Sequence, residues 1–222
     1  MKTINKVMET ILQVSDDGTH TYSITKVTGQ EDMGKHMIVV LLYPTRSEQN
    51  MLYDDDTTAH VLAHMGELGF QSVTIINLFS KVVNGCRMST RGITVDRENL
   101  DYITERYIEN ESFKDSTWVI AWGSSMSTSK AVNETKKELL TKWYKRFPKG
   151  KLYQFTAPGI DKEDNKTVHP LFLGIRSKFS KWKLDVFNGR EYIELLKKQE
   201  AEKEEKRALR KKADDKKDAQ EK

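Results

Sequence analysis

The chain has 222 residues, a net charge of +4 and a single cysteine, Cys86. That length suits one α/β domain with appendages, while one thiol excludes an internal disulfide, a cysteine-ligated iron–sulfur cluster and a zinc ribbon. A reducing compartment, no apolar run of bilayer length and no signal-peptide core make a soluble, cytoplasmic protein the expectation.

Residues 1–35 read as an N-terminal extension, in which "TYSITKV" alternates as a strand does and is expected to add to a sheet edge. Met37 to Leu42 is the first continuous apolar run, the pattern of a strand buried on both faces. Asp54-Asp55-Asp56-Thr57 then opens a helix with Val61, Leu62, Met65 and Leu68 at helical spacing, ending near Gly69. Val73 to Ile76 is the second strand. A helix beginning near Arg97 turns Leu100, Ile103 and Tyr107 inward, and Trp118 to Ala121 is the third strand. The long helix that follows carries Val132, Leu139, Leu140, Trp143 and Phe147 on one face and stops at Pro148-Lys149-Gly150. Leu152 to Phe155 is the fourth strand.

Strands alternating with helices predict a three-layer α/β/α sandwich around a central, mostly parallel sheet, because each parallel crossover places a helix on a sheet face. This domain is expected to span residues 36–196. From Lys197 to Lys222 there are eleven Lys/Arg and eight Asp/Glu, so this tail reads as a solvated helix or a disordered extension. It leaves the body near +1, and any nucleic-acid affinity must therefore come from a local patch.

Four polar stretches follow the four apolar runs: Tyr43-Pro44-Thr45, Asn77-Leu78-Phe79, Trp122-Gly123-Ser124 and His169-Pro170-Leu171. Ligands of open α/β sheets bind beyond the carboxyl ends of the strands, so these stretches describe one pocket. Together with Asp54-Asp55-Asp56-Thr57, they resemble the pattern of a bacterial and phage family called domain of unknown function 1643, over about residues 37–175. In that family the motifs run Asn-Pro-Ser, Asp-Asp-Pro-Thr, Asn-Leu-Phe, Trp-Gly and His-Pro-Leu. The same skeleton is more distantly similar to the uracil-DNA glycosylase superfamily, and the downstream "RSKFSKW" is similar to the basic, aromatic stretch that follows its histidine motif.

The glycosylase resemblance implies roles. Asn77 would read the base, its amide both donating to a carbonyl and accepting from the N3–H of uracil. The alternative is an asparagine that ends a strand and bonds a loop. His169, held extended by Pro170, would donate to the base oxygen on which negative charge grows. Pro44 would help shape the wall. Tyr43 is the exception, because the superfamily has Asp or Asn before this proline and a phenol, with an ordinary pKa of about 10, is a poor general base. Tyr43 would position water through its hydroxyl, or a carboxylate such as Asp55 would substitute, or hydrolysis would be slow or absent. One of the three aspartates is needed as a helix cap.

Tyr53 would stack on a flipped base or pack in a loop. Ser124, Ser125, Ser127 and Ser129 precede a helix and suit a phosphate; they also suit helix capping, and the two roles are compatible. Arg176, Lys178, Lys181 and Trp182 mix phosphate-contacting and base-stacking types, or form a solvent-facing segment. His60 and His64 stand four apart but lack a third metal ligand, and Cys86 has no base partner, so neither a metal nor a cofactor is implied.

The leading expectation is a metal-independent DNA N-glycosylase acting on uracil, with single-stranded or distorted DNA as its partner. The alternative is a non-catalytic nucleic-acid or nucleotide-binding module of phage or mobile-element origin that keeps the base pocket.

Overall fold

The computed structural model describes residue 3 and residues 7–29, 34–45, 54–83, 92–160, 167–177 and 180–220, the last eleven by their backbone alone. Tyr53, Cys86 and Lys178 therefore lie outside the described residues. Residues Met1–Phe187 form one unit and Asn188–Lys222 another.

The first unit is built on a single seven-stranded sheet. Its strands are β1 (Met8–Val14), β2 (Thr21–Thr28), β3 (His36–Leu41), β4 (Ser72–Asn77), β5 (Thr117–Ile120), β6 (Leu152–Thr156) and β7 (Lys183–Phe187). They lie in the order β1-β2-β4-β3-β5-β6-β7. The four central strands β4, β3, β5 and β6 are parallel, whereas β1–β2, β2–β4 and β6–β7 are antiparallel. The mostly parallel sheet read from the sequence is thus a parallel centre with antiparallel flanks.

"TYSITKV" does join the sheet as β2, but β1 lies outside it and forms the edge. Strands β1 and β7 have only one half-buried face each, and their mixed composition gives none of the continuous apolar signal that marks β3 and β4.

Four helices belong to this unit: α1 (Asp56–Met65), α2 (Arg97–Ile103), α3 (Lys130–Arg146) and α4 (Pro170–Arg176). From β3 the chain crosses to β4 in one direction, and from β4 to β5 and β5 to β6 in the other. Right-handed crossovers then put α1 on one face of the sheet and α2 and α3 on the opposite face. Packing agrees. Met37, Val39 and Leu41 of β3, with Val73 and Ile75 of β4, share a core with Val61 and Met65 of α1 and Leu173 of α4. On the other face Trp118 meets Trp143 of α3 edge-on at 6.5 Å, and Lys142 of α3 pairs with Asp101 of α2 at 3.2 Å. A π-helical turn, Thr104–Ile108, extends α2 and keeps Tyr107 and Ile108 buried.

The opposed crossovers leaving β3 and β5, neighbours in the sheet, create a switch point where the chain diverges and a crevice opens. The second unit is α5 (Gly189–Gln220), a helix of mixed charge carrying a Glu194–Lys197 pair at 2.8 Å. No helix among the described residues is long and apolar enough to cross a membrane.

Candidate functional site

At the switch point lies a cavity of about 150 Å³, lined by Tyr43, Pro44, Asp55, Asn77, Trp122, Ser125 and His169 over a floor of Ile24, Leu41 and Ile75. An apolar cavity of roughly 150 Å³ takes one benzene-sized ring. All four strand-end stretches contribute to it, although they are far apart in sequence.

The walls are held by the helices that follow them. Asp55 caps α1, with Oδ1 accepting from the Thr58 N–H at 2.7 Å, and Oδ2 accepts from the Thr45 hydroxyl at 2.7 Å. One carboxylate thereby fastens the loop after β3 to the start of the next helix. Asp96 repeats the device one strand away. Its Oδ1 accepts from the Asn99 N–H at 3.1 Å to cap α2, while Oδ2 accepts from the N–H and hydroxyl of Ser80 at 2.8 and 2.7 Å. The other two aspartates of the acidic run separate. Asp54 pairs with the buried Lys26 of β2 at 2.8 Å, and Asp56 is exposed in the first turn of α1.

Asn77 ends β4 at 2% exposure. The Asn99 side chain donates to its backbone carbonyl at 2.8 Å, which leaves the Asn77 amide aimed at the cavity. Its Oδ1 is buried and accepts no hydrogen bond among the described residues. Leaving such an acceptor unmet costs about 1–3 kcal/mol.

His169 caps α4, and Pro170 occupies its first turn, where a missing N–H costs nothing. Nδ1 accepts from the Leu171 N–H at 3.3 Å, so the neutral ring carries its proton on Nε2. Burial lowers its pKa from the ordinary histidine value, and the Asp55 charge opposes that shift in part. The ring is therefore neutral at pH 7, with one N–H left to donate. Gly123 lets it come close: φ is +68°, and a Cβ there would stand 3.1 Å from the His169 Cβ.

A second, larger groove of about 530 Å³ adjoins the cavity and shares Ser125 and His169 with it. Ser124, Thr167, Phe172 and Arg176 also line this groove, the Arg176 guanidinium lying 4.8 Å from the centre of the Phe172 ring. Ser124 and Ser125 are exposed and precede the helix; Ser129 is the residue that caps α3, accepting from Val132 at 3.4 Å.

Lys181 stands elsewhere. Its neighbour Trp182 donates its backbone N–H to Glu67 at 3.0 Å, beyond the far end of α1 from Asp55. Trp182 is not available to stack on a base. It is 3% exposed and lies flat on His64, with centroids 4.1 Å apart and planes 9° from parallel, because an indole removes more apolar area from water in the core than at a rim. His64 also bonds Glu67 at 2.5 Å, and Gly174 of α4 packs against the His60 ring, so these two histidines serve packing.

Neither Asn99 nor the closeness of Gly123 to His169 was expected from the sequence, and Thr45 was expected only as part of a strand-end stretch. Asn99 gives no sequence signal beyond its place in a first helical turn. The helix α4 was not expected from the sequence, although His169-Pro170 carries its start signal, an N-cap followed by proline at the first helical position.

The strand order and the cavity define an α/β protein with a concave site at the switch point of its sheet, the place where open α/β sheets bind ligands. The sequence model of the family described as Protein of unknown function (DUF1643) matches residues 22–171, and the chain belongs to that family. No curated protein and no solved structure matches it.

Proposed function

We propose that this protein is a uracil-DNA glycosylase-like enzyme that binds DNA and hydrolyses the N-glycosidic bond of a flipped uracil. The supporting observation is the pairing of Asn77 and His169 across a cavity of one-ring size: a buried amide oxygen without a donor on one wall and a neutral imidazole with a free Nε2–H on another. Uracil supplies the complement to both, an N3–H for the amide oxygen and carbonyl oxygens for the donors. Cytosine has no N3–H and would leave Oδ1 unmet.

As the glycosidic bond breaks, electrons move onto the base, and the His169 Nε2–H stabilises the growing charge on its oxygen. A neutral imidazole does this without having to surrender a full proton. Tyr43 sits half-buried at the cavity wall, where its hydroxyl can hold a water against the sugar carbon. Asp55 is the carboxylate at the same wall, but both its oxygens already accept hydrogen bonds, so it acts as an electrostatic partner of the oxocarbenium-like sugar rather than as a free base. Ser124, Ser125 and Arg176 line the adjoining groove, where a backbone phosphate attached to the base's sugar would lie. The nearly neutral body favours single-stranded or already distorted DNA.

The engagement of Asp55, together with Tyr43 in place of an acidic or amide residue, supports a second reading: a non-catalytic module of phage or mobile-element origin that retains the base pocket. A uracil-containing single-stranded oligonucleotide separates the two. Wild type is expected to produce abasic sites, with Asn77→Ala and His169→Ala each slower by about 10²–10³. Tight binding of the oligonucleotide with no abasic product, at high protein concentration, selects the binding module. Cleavage untouched by either substitution would remove both residues from the site.

A further inference from the structure

The groove beside the cavity is far larger than a phosphate needs. It measures about 530 Å³ against about 150 Å³ for the cavity, within the roughly 300–1,000 Å³ of sites that hold whole small molecules. Ser125 and His169 line both spaces, so the two meet at these residues. Phe172 lines the groove at 43% exposure, with the Arg176 guanidinium over its ring at 4.8 Å. Among the described residues no carboxylate lines the groove, so its one cation favours a ligand of negative charge. Thr167, also in the lining, is 4% exposed, and its hydroxyl has no hydrogen-bond partner among the described residues. Phenyl and guanidinium planes are both surfaces on which nucleobases stack, whatever the base.

We infer that this groove takes the nucleotide next to the flipped uracil in the same strand, its base stacked against Phe172 and Arg176. The inference rests on the reading of the cavity as a uracil site. A phosphodiester joins two sugars. With one sugar at the cavity mouth and the phosphate near Ser124 and Ser125, the second nucleoside enters the groove and meets the aromatic ring. The Thr167 hydroxyl can both donate and accept, so it can meet the edge of any base. The site therefore tolerates any neighbouring base but not a missing one. One groove holds one neighbour, the nucleotide on one side of the uracil and not on both.

The probe is a short, fluorescein-labelled single strand with a central 2′-fluoro-2′-deoxyuridine, whose fluorine disfavours an oxocarbenium-like sugar and keeps the glycosidic bond intact during binding. Two companion strands carry a tetrahydrofuran spacer, which has no base, on the 5′ or the 3′ side of the uridine. Anisotropy titrations of the full chain are expected to show one companion bound about ten- to a hundredfold more weakly than the intact strand, and the other as tightly as it. Phe172→Ala should bind all three strands alike, and Phe172→Trp should restore the difference. Equal binding of the three strands by wild type, an equal loss from both spacers, or a neighbour effect that survives Phe172→Ala would each overturn the inference, as would no binding at all. A fourth strand, with 2′-fluoro-2′-deoxycytidine at the centre, tests the reading of the cavity separately. If it binds as tightly as the uridine strand while the one-sided neighbour effect stays, the stacked neighbour stands and the uracil reading falls. If uridine is preferred and the three uridine strands bind alike, the uracil reading stands and the neighbour falls.

Discussion

Individual side chains divide the work at the cavity, and Gly123 shows how tightly they are set. With φ at +68° and His169 against it, this position admits no larger residue without two penalties. A left-handed backbone costs a non-glycine residue about 1–2 kcal/mol, and the added methyl group must also push the imidazole aside. Gly123→Ala is therefore expected to lower the melting temperature only modestly while reducing abasic-site formation far more. Equal, small losses in both measurements would mean that the imidazole's place does not matter. Asn99 acts one layer back. Its amide holds the Asn77 carbonyl at 2.8 Å, so Asn99→Ala should free the end of β4 and loosen base selectivity, read as a smaller preference for uracil over cytosine in oligonucleotide binding. A preference that stays at the wild-type ratio would assign Asn99 to the core alone.

Among the elements, what the sequence made legible follows burial. β3 and β4 are buried at every position and stand out as unbroken apolar runs, and α1 and α3 declare themselves by their periodic inner faces. Strand order could not be read, since it depends on which β-strands meet through space, and the switch point became visible only with it. The strand-end residues Tyr43, Asn77, Trp122 and His169 were legible because each follows a strand that patterning alone locates. The basic, aromatic segment misled because composition does not say which way a side chain turns. Arg176 ends α4 beside the cavity, while Trp182 enters the core. Trp182→Ala should thus cost about 3–5 kcal/mol of stability by chemical denaturation, with oligonucleotide affinity of the folded fraction unchanged. A selective loss of affinity without destabilisation would return this tryptophan to the ligand surface.

For the molecule as a whole, two buried histidines make the fold sensitive to acid. His36 on β3 is 5% exposed, its Nδ1 engaged with the Ser72 hydroxyl at 2.7 Å and its Nε2 buried without a partner among the described residues. Burial lowers its pKa from 6.5 to about 4. Between those values the unfolded chain binds a proton that the native state does not, so stability rises with pH and is lost as pH falls from 6.5 toward 4. The loss amounts to about 3 kcal/mol at full effect, and the lowered pKa of His169 adds in the same direction. Replacement by Asn is expected to flatten the pH dependence of urea midpoints over this window. A slope as steep as wild type would show that other groups carry it.

The cavity has one more property that concerns time. Its walls come from segments that begin with Tyr43 and end with His169, and the helix capped by His169 runs to Arg176. During synthesis Asn77 emerges long before His169, which lines the same cavity. Contacts of such long sequence separation are slow to form, because loop closure costs entropy before they reward it. The pocket therefore exists only once segments as far apart as Tyr43 and His169 have met: a chain stopped before His169 lacks one of its walls.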